Sequence, residues 1–92
     1  MTTSSVMVVN QLGLHARAAA KFVHLASKYV SHIKVSRDAR EMDGKSIMGL
    51  LLLAAARGTS ITITASGADE ADAIVALSAL VESGFGEDVC ST

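Results

Sequence analysis

At 92 residues the chain has room for one modest hydrophobic core and not for two. Half of the residues are apolar, yet the only aromatics are Phe22, Tyr29 and Phe85, so Val, Ile, Leu, Met and Ala must fill the core. A formal net charge of −1 gives no general electrostatic reason to bind nucleic acid, and the aromatics form no base-stacking platform.

The single cysteine, Cys90, has no intrachain partner, which fits a reducing compartment. Met1 to Ser5 lacks the basic and apolar segments of a signal peptide. The longest apolar run, Ile47 to Ala56, is too short to span a bilayer and is interrupted by Gly49. A single cytoplasmic domain over 1–92 is expected, with no membrane insertion and a frayed tail over 87–92.

In chain order, Ser5–Val9 reads as a first strand with Val6 and Val8 facing inward and Met7 and Val9 opposite. A loop over Asn10–Leu14 leads into a helix over His15–Tyr29. Its apolar residues Ala19, Phe22, Val23, Ala26 and Val30 recur at helical spacing, while Arg17, Lys21, His24 and Lys28 line another face. Ser31–Ser36 alternates, with Ile33 and Val35 on the buried side. A turn over Arg37-Asp38-Ala39 precedes a short strand, Arg40–Asp43.

Ser46 then reads as the N-cap of a second helix, with Leu50, Leu53 and Ala54 as its core stripe. Gly58 is expected to stop that helix. Ser60–Ala65 alternates again, with Ile61 and Ile63 inward. A last helix, Ala68–Ser83, opens on Asp69, Glu70 and Asp72, which complement the helix dipole. Its buried stripe is Ile74, Leu77, Leu80 and Val81, and Gly84 is its stop. The order β-α-β-β-α-β-α, with half-buried strands, implies a two-layer α+β domain whose sheet is covered on one face by three helices. The strand order does not follow from the pattern.

The chemistry concentrates at Gly13-Leu14-His15-Ala16-Arg17. A helix mouth offers unpaired backbone N–H groups and favours anions. Arg17 brings a planar donor fork suited to phosphate oxygens. His15 brings an imidazole able to act as a neutral nucleophile near pH 7. The bland reading is a capping or solvated histidine. Gly13 and the cationic face beyond it favour a histidine that takes up a phosphoryl group and gives it away, with the Ala16 N–H donating to one of its oxygens.

Three segments carry a resemblance: Gly13-Leu14-His15-Ala16-Arg17, Gly44-Lys45-Ser46-Ile47-Met48-Gly49-Leu50 and Ala54-Ala55-Ala56-Arg57-Gly58. In that order and spacing they resemble the HPr family, the histidine-containing phosphocarriers of the bacterial phosphotransferase system. The resemblance runs from Val6 to about Asp88. It implies an open-faced sandwich with an antiparallel sheet in the order 1-4-2-3. It also implies that His15 accepts a phosphoryl group on Nδ1 from phospho-enzyme I and passes it to a histidine of an enzyme IIA-type protein. Phosphoenolpyruvate would be the ultimate source, and the chain a monomeric carrier rather than an enzyme.

Many members carry proline after the arginine, where Ala18 stands here. Alanine suits a helix start equally and leaves one more N–H near the anion site. The resemblance further implies that Ser46 is a target of HPr kinase/phosphorylase. The ending Ser83-Gly84-Phe85-Gly86-Glu87-Asp88 is similar to that of nitrogen-related paralogues.

Recognition is expected from a basic stripe of Lys21, His24 and Lys28 that steers an acidic partner. An apolar patch of Ile47, Met48 and Leu51 beside His15 is expected to complete it. The bland alternatives are a solvated helix face and core packing. No cofactor is expected. His15, His24 and His32 lack metal-ligand spacing, so no metal is expected either, and Gly44-Lys45-Ser46 lacks the upstream glycine of a nucleotide-binding loop. The competing functional reading is a binding-only regulator that uses the apolar patch without phosphotransfer.

Overall fold

The computed structural model of the chain describes residues 1–86; the tail expected over 87–92 lies outside them. The elements are β1 (Thr2–Met7), α1 (Ala16–Ala26), β2 (His32–Arg37), β3 (Arg40–Asp43), α2 (Ile47–Leu53), β4 (Ser60–Ser66) and α3 (Glu70–Glu82). The four strands form one antiparallel sheet in the order β1-β4-β2-β3, as the resemblance implied. Alternation decides which face is buried. Val6, Ile33, Val35, Ile61, Ile63 and Ala65 point into the core, while Thr3, Ser5, His32 and Lys34 stay on the open side. The helices supply Phe22, Leu50, Leu53, Leu77 and Val81 to the same core.

Several boundaries differ from the sequence reading, each for a physical reason. β1 begins at Thr2 rather than Ser5, because Thr2 and Ser4 continue the inward alternation as half-buried hydroxyl residues. It loses its regular ladder at Met7, although Val8 stays fully buried and its N–H donates to the Thr59 carbonyl at 2.9 Å. α1 ends at Ala26, and Lys28 and Tyr29 close tighter turns onto Leu25 and Ala26. Val30 is consequently thrown outward, 80% exposed rather than buried.

The second helix stops at Ala54 and not at Gly58. Ala54 adopts a left-handed conformation (φ 51°, ψ 38°) and is exposed rather than part of a core stripe. Such a residue costs about 1–2 kcal/mol without compensation. Here Arg37 Nη1 donates to the carbonyls of Leu53 (2.6 Å) and Ala54 (3.0 Å), and Arg40 Nη1 to that of Leu52 (3.0 Å). The guanidinium groups take over carbonyls that the helix leaves unpaired. Gly58 serves a different purpose: its N–H donates to the Val8 carbonyl at 2.7 Å.

The acids expected to complement the dipole of α3 are mostly used across the fold. Asp69 accepts from the backbone N–H groups of Val30 and Ser31, both at 3.0 Å, and from the Ser31 hydroxyl. Glu70 accepts from the Thr2 hydroxyl and pairs with the Met1 amino group at 2.8 Å. These bonds favour the charged carboxylates. The Ser31 hydroxyl bond first, then the Val30 N–H, lowers Asp69; the Met1 amine and Thr2 lower Glu70 to about 2.

A carboxyl depressed on folding stabilises the fold above its unfolded value, and that contribution fades as pH falls through the folded value. Asp69→Ala is therefore expected to melt below wild type at pH 7, with the gap narrowing from about pH 4 downward. Thermal melts across pH 7 to 2 check this, and a gap independent of pH would refute it.

Candidate functional site

The site is built from a loop that cannot have a side chain at one position. Gly13 has φ +67°, and a Cβ there would lie 2.5 Å from the Ala55 carbonyl oxygen and 3.0 Å from the Ala56 Cα. Its bareness lets the Leu14 N–H donate to the Ala55 carbonyl at 2.9 Å, with the Leu14 side chain buried behind it. Asn10, fully buried, donates Nδ2 to the Gly13 carbonyl at 2.7 Å, and the His15 N–H donates to the same oxygen at 2.9 Å. The loop is thus fixed from both ends before the helix begins.

His15 is the N-cap of α1, with extended backbone (φ −81°, ψ −179°), and its side chain makes no capping bond. The capping explanation for this histidine fails on that geometry. Ala19 is the residue whose N–H bonds back to the His15 carbonyl, at 2.8 Å. The amides of Ala16, Arg17 and Ala18 therefore sit at the helix mouth without a carbonyl one turn back. His15 is half-buried, while Ala16 and Arg17 are exposed. The imidazole stands at a helix mouth rich in backbone N–H groups, with the Arg17 donor fork two residues further on, an order of groups that suits a tetrahedral anion carried on the ring.

The basic stripe divides in two. Arg17, Lys21 and His24 line an open groove of about 510 Å³ between α1 and α3, floored by Ala20, Leu25 and Leu80. Lys21 is not simply solvated, since Nζ donates to the Phe85 carbonyl at 2.8 Å. Lys28 is exposed beyond the end of α1.

α2 lies antiparallel to α1, as two bonds at its opposite ends show. Lys45, just before α2, donates Nζ to the carbonyl of Tyr29 at 2.7 Å, beyond the end of α1. Ala55, just after α2, holds the loop before α1. The C-terminal end of α2, not its start, abuts the His15 loop. Ser46 caps the far end, its Oγ accepting from the Gly49 N–H at 3.0 Å.

The apolar patch is present and larger than the sequence reading made it. Ile47, Met48 and Leu51 are exposed at 41%, 69% and 36%, and Leu52 at 58% joins them. Leu52 was legible from its place four residues after Met48. Sequence reasoning also missed Asn10, whose only signal is a polar residue between a strand and a glycine.

Among the described residues no group of three or more His, Cys, Asp or Glu could hold a metal ion, and no helix is long and apolar enough to cross a membrane. Gly13→Ala is expected to cost about 1–3 kcal/mol, from the left-handed backbone and the collision with Ala55. Urea unfolding measures it, and unchanged stability would show that the loop yields freely.

A family model described as the PTS HPr component phosphorylation site matches residues 2–83. A phosphocarrier protein HPr of Cupriavidus necator is 47% identical over 87 residues, spanning 95% of this chain and 98% of the relative. One from Xylella fastidiosa (strain 9a5c) is 49% identical over 88 residues, spanning 96% and 99%. Among solved structures, HPr-C-His from Thermoanaerobacter tengcongensis aligns with a TM-score of 0.92 at 44% identity, over 96% of this chain and 99% of that one. In sequence and in fold alike, the chain belongs to the HPr phosphocarrier family of the phosphotransferase system.

Proposed function

We propose that His15 is the phosphoryl acceptor of this carrier, working in the cytoplasm as a monomer. In the reading put forward here, its ring Nδ1 attacks the phosphorus carried by phospho-enzyme I. The new P–N bond forms as the bond to the donor breaks. The group then leaves in the same way for a histidine of an enzyme IIA-type protein. One observation carries this reading: His15 opens α1 without capping it, beside the amides of Ala16 and Arg17.

Transfer of this kind asks for positioning and charge stabilisation rather than covalent help. The Ala16 and Arg17 amides and the Arg17 guanidinium receive the equatorial oxygens. Those donors are few and solvent-facing, which holds the group without trapping it. Docking falls to the exposed face of α2, through Ile47, Met48 and Leu51 with Leu52 added. His24 and Lys28 supply the basic rim, while Lys21 stands partly apart because its amine is already engaged.

Ser46 has the better-supported structural role of N-cap. As a target of HPr kinase/phosphorylase it would acquire a charge of about −1.5 to −2. That charge would stand next to Ile47 and Met48 and repel an acidic partner.

Incubation with phosphoenolpyruvate and enzyme I is expected to add one acid-labile phosphoryl group by intact mass, absent in His15→Ala. No gain with active enzyme I would overturn the assignment. Arg17→Ala is expected to slow transfer about 10²-fold with little change in melting temperature; near-normal rates would remove Arg17 from the mechanism. Ser46→Asp is expected to lower kcat/KM with enzyme I by about tenfold or more, and an unchanged value would discard the inhibitory role.

A further inference from the structure

α3 ends in three consecutive left-handed residues, Gly84 (φ 75°), Phe85 (φ 60°) and Gly86 (φ 71°). Glycine adopts this conformation freely and phenylalanine does not. Two bonds define the turn: the Gly84 N–H donates to the Val81 carbonyl at 3.0 Å, and the Phe85 N–H to the Leu80 carbonyl at 2.9 Å. This is a Schellman ending, with Phe85 and Leu80 at the positions that normally share its apolar contact. Phe85 is completely buried. Its carbonyl accepts from Lys21 Nζ at 2.8 Å, and a Cβ on Gly86 would lie 3.8 Å from that nitrogen.

On its other side the turn comes close to the loop that carries His15, leaving about the room of one methyl group. A Cβ on Gly84 would lie 3.5 Å from Asn10 Cβ and 3.8 Å from Val9 Cγ2. Asn10 and the His15 N–H both bond the Gly13 carbonyl, at 2.7 and 2.9 Å. The Lys21 ammonium, the turn at Gly84 and Phe85, and the loop of Asn10, Gly13 and His15 therefore follow one another in space, joined by hydrogen bonds at the Phe85 and Gly13 carbonyls and by the close approach of Gly84 to Asn10.

We propose that Lys21 is a positioning residue: its ammonium clamps the Gly84–Phe85–Gly86 turn against Asn10 and so fixes the loop that orients His15. This rests on His15 being the phosphoryl acceptor. It separates Lys21 from the other cations of the α1 stripe. A docking cation attracts the partner, so its loss raises KM and weakens the salt dependence. A clamping cation acts on a complex already formed, so its loss lowers kcat.

The test compares Lys21→Met, which keeps the methylenes, with Lys21→Arg, which keeps a cationic donor, in the full chain. With enzyme I and phosphoenolpyruvate, Lys21→Met is expected to lower kcat about fivefold or more with KM within about twofold of wild type. Lys21→Arg should recover most of the loss. By amide hydrogen exchange, the Gly13 and Phe85 N–H groups of Lys21→Met should exchange about tenfold faster while those of β4 keep their rates.

A raised KM with kcat intact, unchanged exchange at Gly13, or an equal acceleration in β4 would each overturn the proposal. Should wild type accept no phosphoryl group from active enzyme I, the acceptor assignment fails, and the exchange comparison still decides whether the clamp exists.

Discussion

The hydrogen bond from the Leu14 N–H to the Ala55 carbonyl, 2.9 Å long, ties the two halves of the functional face together. One end belongs to the loop that presents His15, the other to the chain leaving α2. Neither segment has regular structure of its own, so their relative placement rests on this bond together with those between Val8 and Gly58 and Thr59. The bond requires Gly13 to be bare, since a methyl group there would occupy the Ala55 oxygen. It also requires α2 to stop early enough to release Ala55. Arg37 and Arg40 allow that by donating to the last α2 carbonyls. Arg37 of the hairpin thereby acts one and two residues from the carbonyl that holds the histidine loop.

The rest of the framework uses short polar side chains in a comparable way. Asp69 and Glu70 could have served only the start of α3, but they bind the chain before β2 and the first residues of β1. Each carboxylate thus replaces packing that a domain of this size lacks the volume to supply. Apolar burial holds the sheet to the helices, and these bonds hold the connections.

What could be read from the sequence follows the strength of its periodic signals. The alternation Ile61, Ile63 and the pair Ile33, Val35 placed two central strands correctly, because both faces of a half-buried strand are visible in the chain. Ser46 as a cap and His15 at a helix mouth were equally legible, since their local chemistry is the signal. Thr2 to Ser4 was not, because half-buried hydroxyls look like a polar tail. The end of α2 was not, because the partners of its carbonyls come from Arg37 and Arg40, 12 to 17 residues away. Phe85 looked like part of an ending and proved to be core. No pattern in the chain shows that α2 runs against α1; only the bonds at its two ends do.

That antiparallel arrangement has a consequence for any chemistry at Ser46. α2 rises about 10 Å over its seven residues, and its two ends belong to different neighbourhoods. A phosphate on Ser46 and one on His15 would sit on separate anion cradles, each with its own amides. In physiological salt the Debye length is about 8 Å, so two such charges a helix apart on an exposed surface are largely screened from one another. Were both residues marked as proposed, charge alone would not set the two marks against each other. A rule that one forbids the other would then reside in the proteins that read this face, not in the chain that displays it.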